Sequence, residues 1–276
     1  HASAIPGSGP AVVVARKDRP LVKSAGDAKL AAEIAKLGPE AYRIRTVMKD
    51  ARRIVVIAGG GDAGVLYGAY RFAERLGVRF SLHGDIIPDD RIPFGLPPDL
   101  DEHGSPLFET RGIQPFHDFP EGPDWWDADD YKAILSQLPR LGMNLFALHT
   151  YPEGGPNAEP AVWIGVPGDV NPDGTVRASY PSSWQNTLRG NWGYLSKKTG
   201  AYTRGASMLF DRDDYGAEVM RGHMPSPSTP DGMNEVFDRA GAMFRDAFSY
   251  ARALGVKICV GTETPLTIPK MVRERL

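Results

Sequence analysis

The densest run of chemistry-bearing side chains lies at residues 109–126, ETRGIQPFHDFPEGPDWW. A short apolar stretch, 112–116, runs into His117 and Asp118, and the run closes on Trp125 and Trp126. Two later apolar stretches end in the same way. Residues 143–149 lead to His149 and Tyr151, and residues 256–261 lead to Thr262, Glu263 and Thr264. Imidazole, carboxylate and hydroxyl groups hydrogen-bond sugar hydroxyls, and Trp or Tyr rings stack on the apolar face of a pyranose. The pattern therefore points to a carbohydrate-like ligand. Asp118 and Glu263 are the pair to consider for catalysis, because glycosidic cleavage uses two carboxyl groups set several ångströms apart. His117, Trp125, Trp126, His149 and Tyr151 are candidate substrate-binding residues, and Trp192 joins them from a later aromatic-rich stretch.

Each of these residues also has an ordinary reading. His117 and His149 can be locally satisfied polar residues. One of the adjacent tryptophans can pack beneath the loop, and Glu263 can be a hydrogen-bonding clamp or an ion-pair member. A metal centre from His117, Asp118 and His149 lacks the compact H-x-x-x-H spacing of a helical zinc site, so no metal and no cofactor is assigned.

The elements that would position these groups are legible from periodicity. Residues 10–16, 41–47, 53–58 and 78–82 read as strands, and 28–37 and 62–76 as amphipathic helices, the second with Val65, Leu66, Ala69, Phe72, Ala73 and Leu76 on one face. Together they make a small α/β sandwich domain of about 90 residues. Gly59, Gly60 and Gly61 separate a strand from a helix, as phosphate-binding glycines do, but the order GGGDAG is neither G-x-G-x-x-G nor a P-loop. A tight turn is the better reading. The proline- and acid-rich run 85–105 has linker composition, which puts a domain boundary near residue 105.

Beyond it, strand (112–116), helix (129–141), strand (143–149), helix (233–254) and strand (256–261) alternate. Such alternation implies a parallel sheet with right-handed crossovers. The expectation is therefore a fold of class α/β. Residues 1–105 form the small domain and linker, and 106–276 the first three β/α units of a TIM-type barrel, with an insertion at about 152–230 after strand two. A closed barrel of this type takes about 250 residues. The remaining strands, and with them the acid/base carboxylates, are accordingly expected from the same longer polypeptide or from another chain.

Composition excludes several partners. A net charge of −2 leaves no basic field for nucleic acid or an anionic membrane. No run approaches the roughly 18 apolar residues of a bilayer span. The single cysteine, Cys259, lies in the apolar run 256–260 and reads as a buried small hydrophobe.

The run EAYRIRTVMKDARRIVVIAGGGDAGVLYGAYRFAERLGVRF (40–80) resembles the small α/β domain that precedes the barrel in family 20 β-hexosaminidases and in α-glucuronidases. The following Glu109-Thr110-Arg111-Gly112 resembles their first barrel strand, which implies that Arg111 clasps hydroxyls of the terminal sugar. The family 20 Asp-x-x-Arg continuation is absent from GIQPFHDFP. The resemblance implies a glycoside hydrolase acting on a polysaccharide or its oligosaccharides, and an exported, secreted or periplasmic location. A non-catalytic carbohydrate-binding protein and a metal-dependent hydrolase are the alternatives.

Overall fold

The computed structural model describes residues 4–89, 95–115, 126, 128–150, 166–173, 175, 177, 181–182, 197–198, 230–262 and 274–275. The chain divides into two units: His1–Arg111 with Ser136–Asn144, and Gly112–Leu135 with Leu145–Leu276.

The first unit is built on a four-stranded sheet. Its strands are β1 (Ala11–Arg16), β2 (Tyr42–Lys49), β3 (Arg52–Gly59) and β6 (Asp101–Gly104), in the order β1-β3-β2-β6. β1 runs parallel to β3, whereas β2 is antiparallel to both β3 and β6. A small hairpin, β4 (Arg79–Ser81) with β5 (Gly84–Ile86), pairs by itself. Three helices join these strands: α1 (Pro20–Ala25), α2 (Ala28–Ala35) and α3 (Asp62–Arg75).

Strand alternation gives the sheet two apolar faces. On one, Val13, Ile54, Val56 and Ala58 pack with Val22, Leu30, Ile34 and Leu37 from α1, α2 and the turn that follows. On the other, Ile44, Val55 and Ile57 pack with Phe72 of α3 and with Leu96. Leu30, Ile44 and Ile54 are wholly buried, and burying a side chain of this size stabilises by about 1.5–3 kcal/mol. Asp27 starts α2 by accepting a hydrogen bond from Leu30 N at 2.7 Å. Lys17 closes its far end, Nζ donating to Leu37 O at 2.6 Å.

The glycines before α3 and in its first turn are spacers for backbone contact. A Cβ on Gly60 would lie 1.8 Å from Gly38 O, and one on Gly64 2.3 Å from Ala41 O. Gly60 N donates to Ala41 O at 2.9 Å. The helix start is thus pressed against the 38–41 loop, and the tight-turn reading of GGGDAG accounts for it. Two elements depart from expectation. α1 is only six residues long, and Pro at its first position, not periodicity, marks its start. The run 85–105, expected as linker, supplies β5 and β6. β6 has the sequence DEHG, without a β-branched or aromatic residue. It forms because β2 offers an unpaired edge and arginines from two elements meet its acids: Asp101 accepts from Arg45 Nη2 of β2 at 2.9 Å and Glu102 from Arg71 Nε of α3 at 3.0 Å.

In the second unit β7 (Gly112–Ile113), β8 (Leu145–Thr150) and β11 (Lys257–Thr262) form a parallel sheet in the order β7-β8-β11. A two-residue pair, β9 (Pro181–Ser182) with β10 (Lys197–Lys198), lies apart from it. Helix α4 (Ala128–Arg140) connects β7 to β8, and α5 (Pro230–Ala253) leads to β11. The core is aromatic. Tyr131, itself wholly buried, meets Phe146, Phe244 and Trp126 edge-on at 6.2, 5.6 and 5.3 Å between ring centres. Lys132 bridges to Asp246 at 2.6 Å. The helices end on Gly142 and Gly255, both with positive φ, and the next amide of each returns to a helix carbonyl: Met143 N to Leu138 O and Val256 N to Ala251 O.

Cys259 corrects one expectation, because it is exposed rather than buried. Alternation places it on the Lys257 face of β11, while Phe146 and Leu148 of β8 look to the other, helix-covered side. The observed architecture is α/β, with parallel strands joined by helical crossovers.

Candidate functional site

Arg111 is the expected site residue whose surroundings are most fully defined. It stands just before β7, with its side chain 17% exposed. Its guanidinium donates from Nε to Gly142 O at 2.7 Å and from Nη1 to Glu40 Oε2 at 3.1 Å, Phe108 O at 2.5 Å and Glu109 O at 3.2 Å. Nη2 donates to the Tyr67 hydroxyl at 3.3 Å, and the guanidinium carbon lies 5.9 Å from the Tyr67 ring centre. Each of the three guanidinium nitrogens that the family resemblance assigns to sugar hydroxyls thus donates to at least one protein oxygen.

Asn144 completes the cluster. Its Oδ1 accepts from Arg111 N at 2.9 Å, and its Nδ2 donates to Glu40 Oε1 at 3.0 Å and to Glu109 O at 2.8 Å. Its own backbone N donates to Arg111 O at 2.8 Å. At 4% exposure Asn144 is buried, and every polar atom of its amide has a partner. Burial pushes the Tyr67 hydroxyl above its usual range; Glu40 adds to that shift and Arg111 opposes it. Sequence reasoning missed Glu40, Tyr67 and Asn144. One signal was present: a lone Asn among apolar residues at the start of a strand, in GMNLFALHTY.

The cluster borders a groove of about 550 Å³ within the first unit. Tyr67, Arg71 and Glu74 of α3, spaced i, i+4, i+7, present one helix stripe to it. Tyr42 and Glu102 contribute from the sheet, and Arg140, Leu141 and Gly142 from the end of α4. Burial pushes the Glu102 carboxyl up, but hydrogen bonds from Arg75 and Arg71 outweigh it and hold the group below its ordinary value.

In the second unit the parallel register aligns the strand ends. Gly261 lies beside His149, and Thr262 beside Thr150. β7 is in register with Leu145 and Phe146, so the chain leaves it toward the same end of the sheet. Gln114, just past β7, is exposed. Trp126 is half-buried and packs edge-on against the buried Tyr131 of α4 at 5.3 Å. His149 is part of β8, and its side chain is outside the description. His117, Asp118, Trp125, Tyr151, Trp192 and Glu263 lie outside the described residues. Among the described residues no group of three His, Cys, Asp or Glu side chains forms a metal-binding cluster. Nor is any helix there long and apolar enough to cross a membrane.

Residues 5–72 match the family model described as glycosyl hydrolase family 67 N-terminus. The match covers about a quarter of the chain, from just ahead of β1 to Phe72 within α3. It agrees with the α-glucuronidase side of the resemblance and carries nothing for family 20. No curated protein matches the chain.

Proposed function

We propose that this chain is the N-terminal part of a glycoside hydrolase, which cleaves O-glycosyl bonds of a polysaccharide or its oligosaccharides. The carrying observation is the match of residues 5–72 to the N-terminus of a glycosyl hydrolase family, laid over β1, α1, α2, β2, β3 and most of α3. The parallel β7-β8-β11 sheet with helical crossovers supports a barrel as the second part. In such barrels the residues at C-terminal strand ends form the site.

On this reading a sugar is gripped where β7, β8 and β11 end. His117, Trp125, His149, Tyr151 and Trp192 supply hydroxyl contacts and ring faces, and Trp126 buttresses the loop through Tyr131. The reaction needs one carboxyl to protonate the leaving oxygen and a second as nucleophile or water-activating base, about 5–5.5 Å or 6.5–9.5 Å away for retention or inversion respectively. Asp118 and Glu263 are the carboxyls that follow β7 and β11 in the sequence. The first unit serves as a structural support, with Arg111 tied into it. An exported location belongs to the same proposal.

The test combines binding and turnover. Tryptophan emission is followed while the protein is titrated with neutral oligosaccharides and with one bearing glucuronic acid. Release of the aryl group from aryl glycosides, an aryl α-glucuronide among them, is measured in parallel. A saturable emission change is expected, weakened at least tenfold by His149→Ala or Trp125→Ala. No response to any of these sugars would overturn the reading. Binding unchanged in both variants would remove the strand ends as its location.

A further inference from the structure

The groove of the first unit is built in a way that its role as a support does not require. Tyr42 is held in a slot between two glycines. A Cβ on Gly104 would lie 2.3 Å from the ring's Cε1 and Cζ, and one on Gly68 3.1 Å from Tyr42 Cβ. The ring is half-buried and lines the groove, yet its hydroxyl has no hydrogen-bond partner among the described residues. Burial pushes that hydroxyl above its usual range, so it stays protonated and able to donate. Tyr67 brings a second ring to the same groove.

The charged lining is balanced and already paired. Arg71 meets Glu74 and Glu102 at 2.9 and 3.0 Å, Arg111 meets Glu40 at 3.1 Å, and Arg140 meets Asp85 at 3.6 Å. An anion would have to break one of these pairs to find a cation. An uncharged polyol would not. Paired carboxylates keep lone pairs for hydroxyl donors, and planar guanidinium and carboxylate groups match adjacent hydroxyls. A cavity of about 550 Å³ accommodates a sugar ring or two, within the usual range of small-ligand sites.

We propose that this groove, formed by Tyr42, Tyr67, Arg71, Glu74, Glu102 and Arg140, binds an uncharged pyranose unit of an oligosaccharide, as a site separate from the strand ends of the second unit. The Tyr42 hydroxyl donates to a sugar oxygen, and Glu102 accepts from a sugar hydroxyl. The site does no covalent chemistry; it holds a glycan chain on the first unit. It does not depend on the hydrolytic reading.

The whole chain is prepared with 13C-labelled tyrosine rings and titrated with xylotriose, cellotriose and maltotriose, and separately with inorganic phosphate. Tyr42→Phe and Tyr67→Phe identify the two ring signals by their loss. Saturable movement of both signals with at least one trisaccharide is expected. Tyr42→Phe should weaken that binding about three- to tenfold, as one lost hydrogen bond does, seen at the Tyr67 ring. Thermal midpoints confirm that the near-isosteric variant is folded. The proposal is overturned if neither ring responds to any trisaccharide, if phosphate alone moves them, or if Tyr42→Phe binds as tightly as the parent. Tryptophan signals separate the two sites. Their movement without the tyrosines overturns this proposal and leaves the strand-end reading standing, and the reverse pattern does the opposite.

Discussion

Asn144 is a small residue with four hydrogen-bonding roles: two through Nδ2, one through Oδ1 and one through its backbone N. Removing the amide deprives Arg111 N of its acceptor and takes one donor each from Glu40 and the Glu109 carbonyl, which keep the Arg111 guanidinium. A lost hydrogen bond costs about 0.5–1.5 kcal/mol and a buried group left unsatisfied about 1–3 kcal/mol. Asn144→Ala is expected to destabilise the first unit by about 2–4 kcal/mol, seen as a lower urea midpoint with an unchanged slope. Asn144→Asp should cost at least as much, because a carboxylate cannot donate to Glu40 or to the Glu109 carbonyl. A substitution series in which Asp equals Asn would show that the donor side of this amide carries nothing. The cluster was half legible in the sequence. Arg111 stood out beside its glycine, but its partners Asn144 and Glu40 are 33 and 71 residues away. Spacing along a chain does not reveal contacts of that range.

At the scale of elements, legibility followed apolar content. β3, with six consecutive buried residues, is specified by its own sequence. α3 forms where its periodicity predicts, but the face it buries is Gly64, Tyr67, Gly68 and Phe72. Val65, Leu66, Ala69, Ala73 and Leu76 are only partly buried, because the glycines let the helix press close to the sheet. β6 is specified by its neighbours. Its DEHG sequence reads as loop, and it becomes a strand because Arg43 and Arg45 of the adjacent β2 meet Asp101 while Arg71 and Arg75 of α3 meet Glu102. A charged edge strand also resists pairing with another chain. The consequence is a dependence on pH. The hydrogen bond from Arg45 holds Asp101 below its ordinary value of 3.8, and burial only partly opposes it. Glu102, with an ordinary value of 4.5, is also lowered. For a carboxyl depressed in the folded state, the contribution is fully present above the unfolded pKa and is lost as pH falls through the folded one. The thermal midpoint should therefore be flat above about pH 5 and fall progressively below about pH 4. Asp101→Asn with Glu102→Gln should lower the midpoint at neutral pH and flatten the acid slope. An acid slope identical in the double variant and the parent would place the responsible carboxyls elsewhere.

At the scale of the whole molecule, the first unit is discontinuous. Residues Ser136–Asn144 belong with His1–Arg111, although the sequence between them belongs to the second unit. Composition could not show this, because a boundary read from prolines and acidic residues marks where a chain is polar, not where its contacts return. A cut at 105 would remove Arg111, and a cut at 111 would still remove Gly142 and Asn144, which accept from its guanidinium and its backbone N. A cut at 111 also strips Pro139–Gly142 from one wall of the groove. Ser136–Asn144 is thus part of the first unit's fold rather than a neighbour to it. A polypeptide of residues 1–111 is then expected to fold less stably than the same residues within the full chain, by about 2–4 kcal/mol for the buried groups left unpaired. Amide hydrogen exchange reads this locally. In the shorter polypeptide, protection should fall most at Arg111 and at the β2–β6 pairing beside the groove, and least at β3, which both apolar layers cover. Equal protection at Arg111 in the two polypeptides would mean that the first unit ends where its composition changes and that Asn144 is dispensable to it.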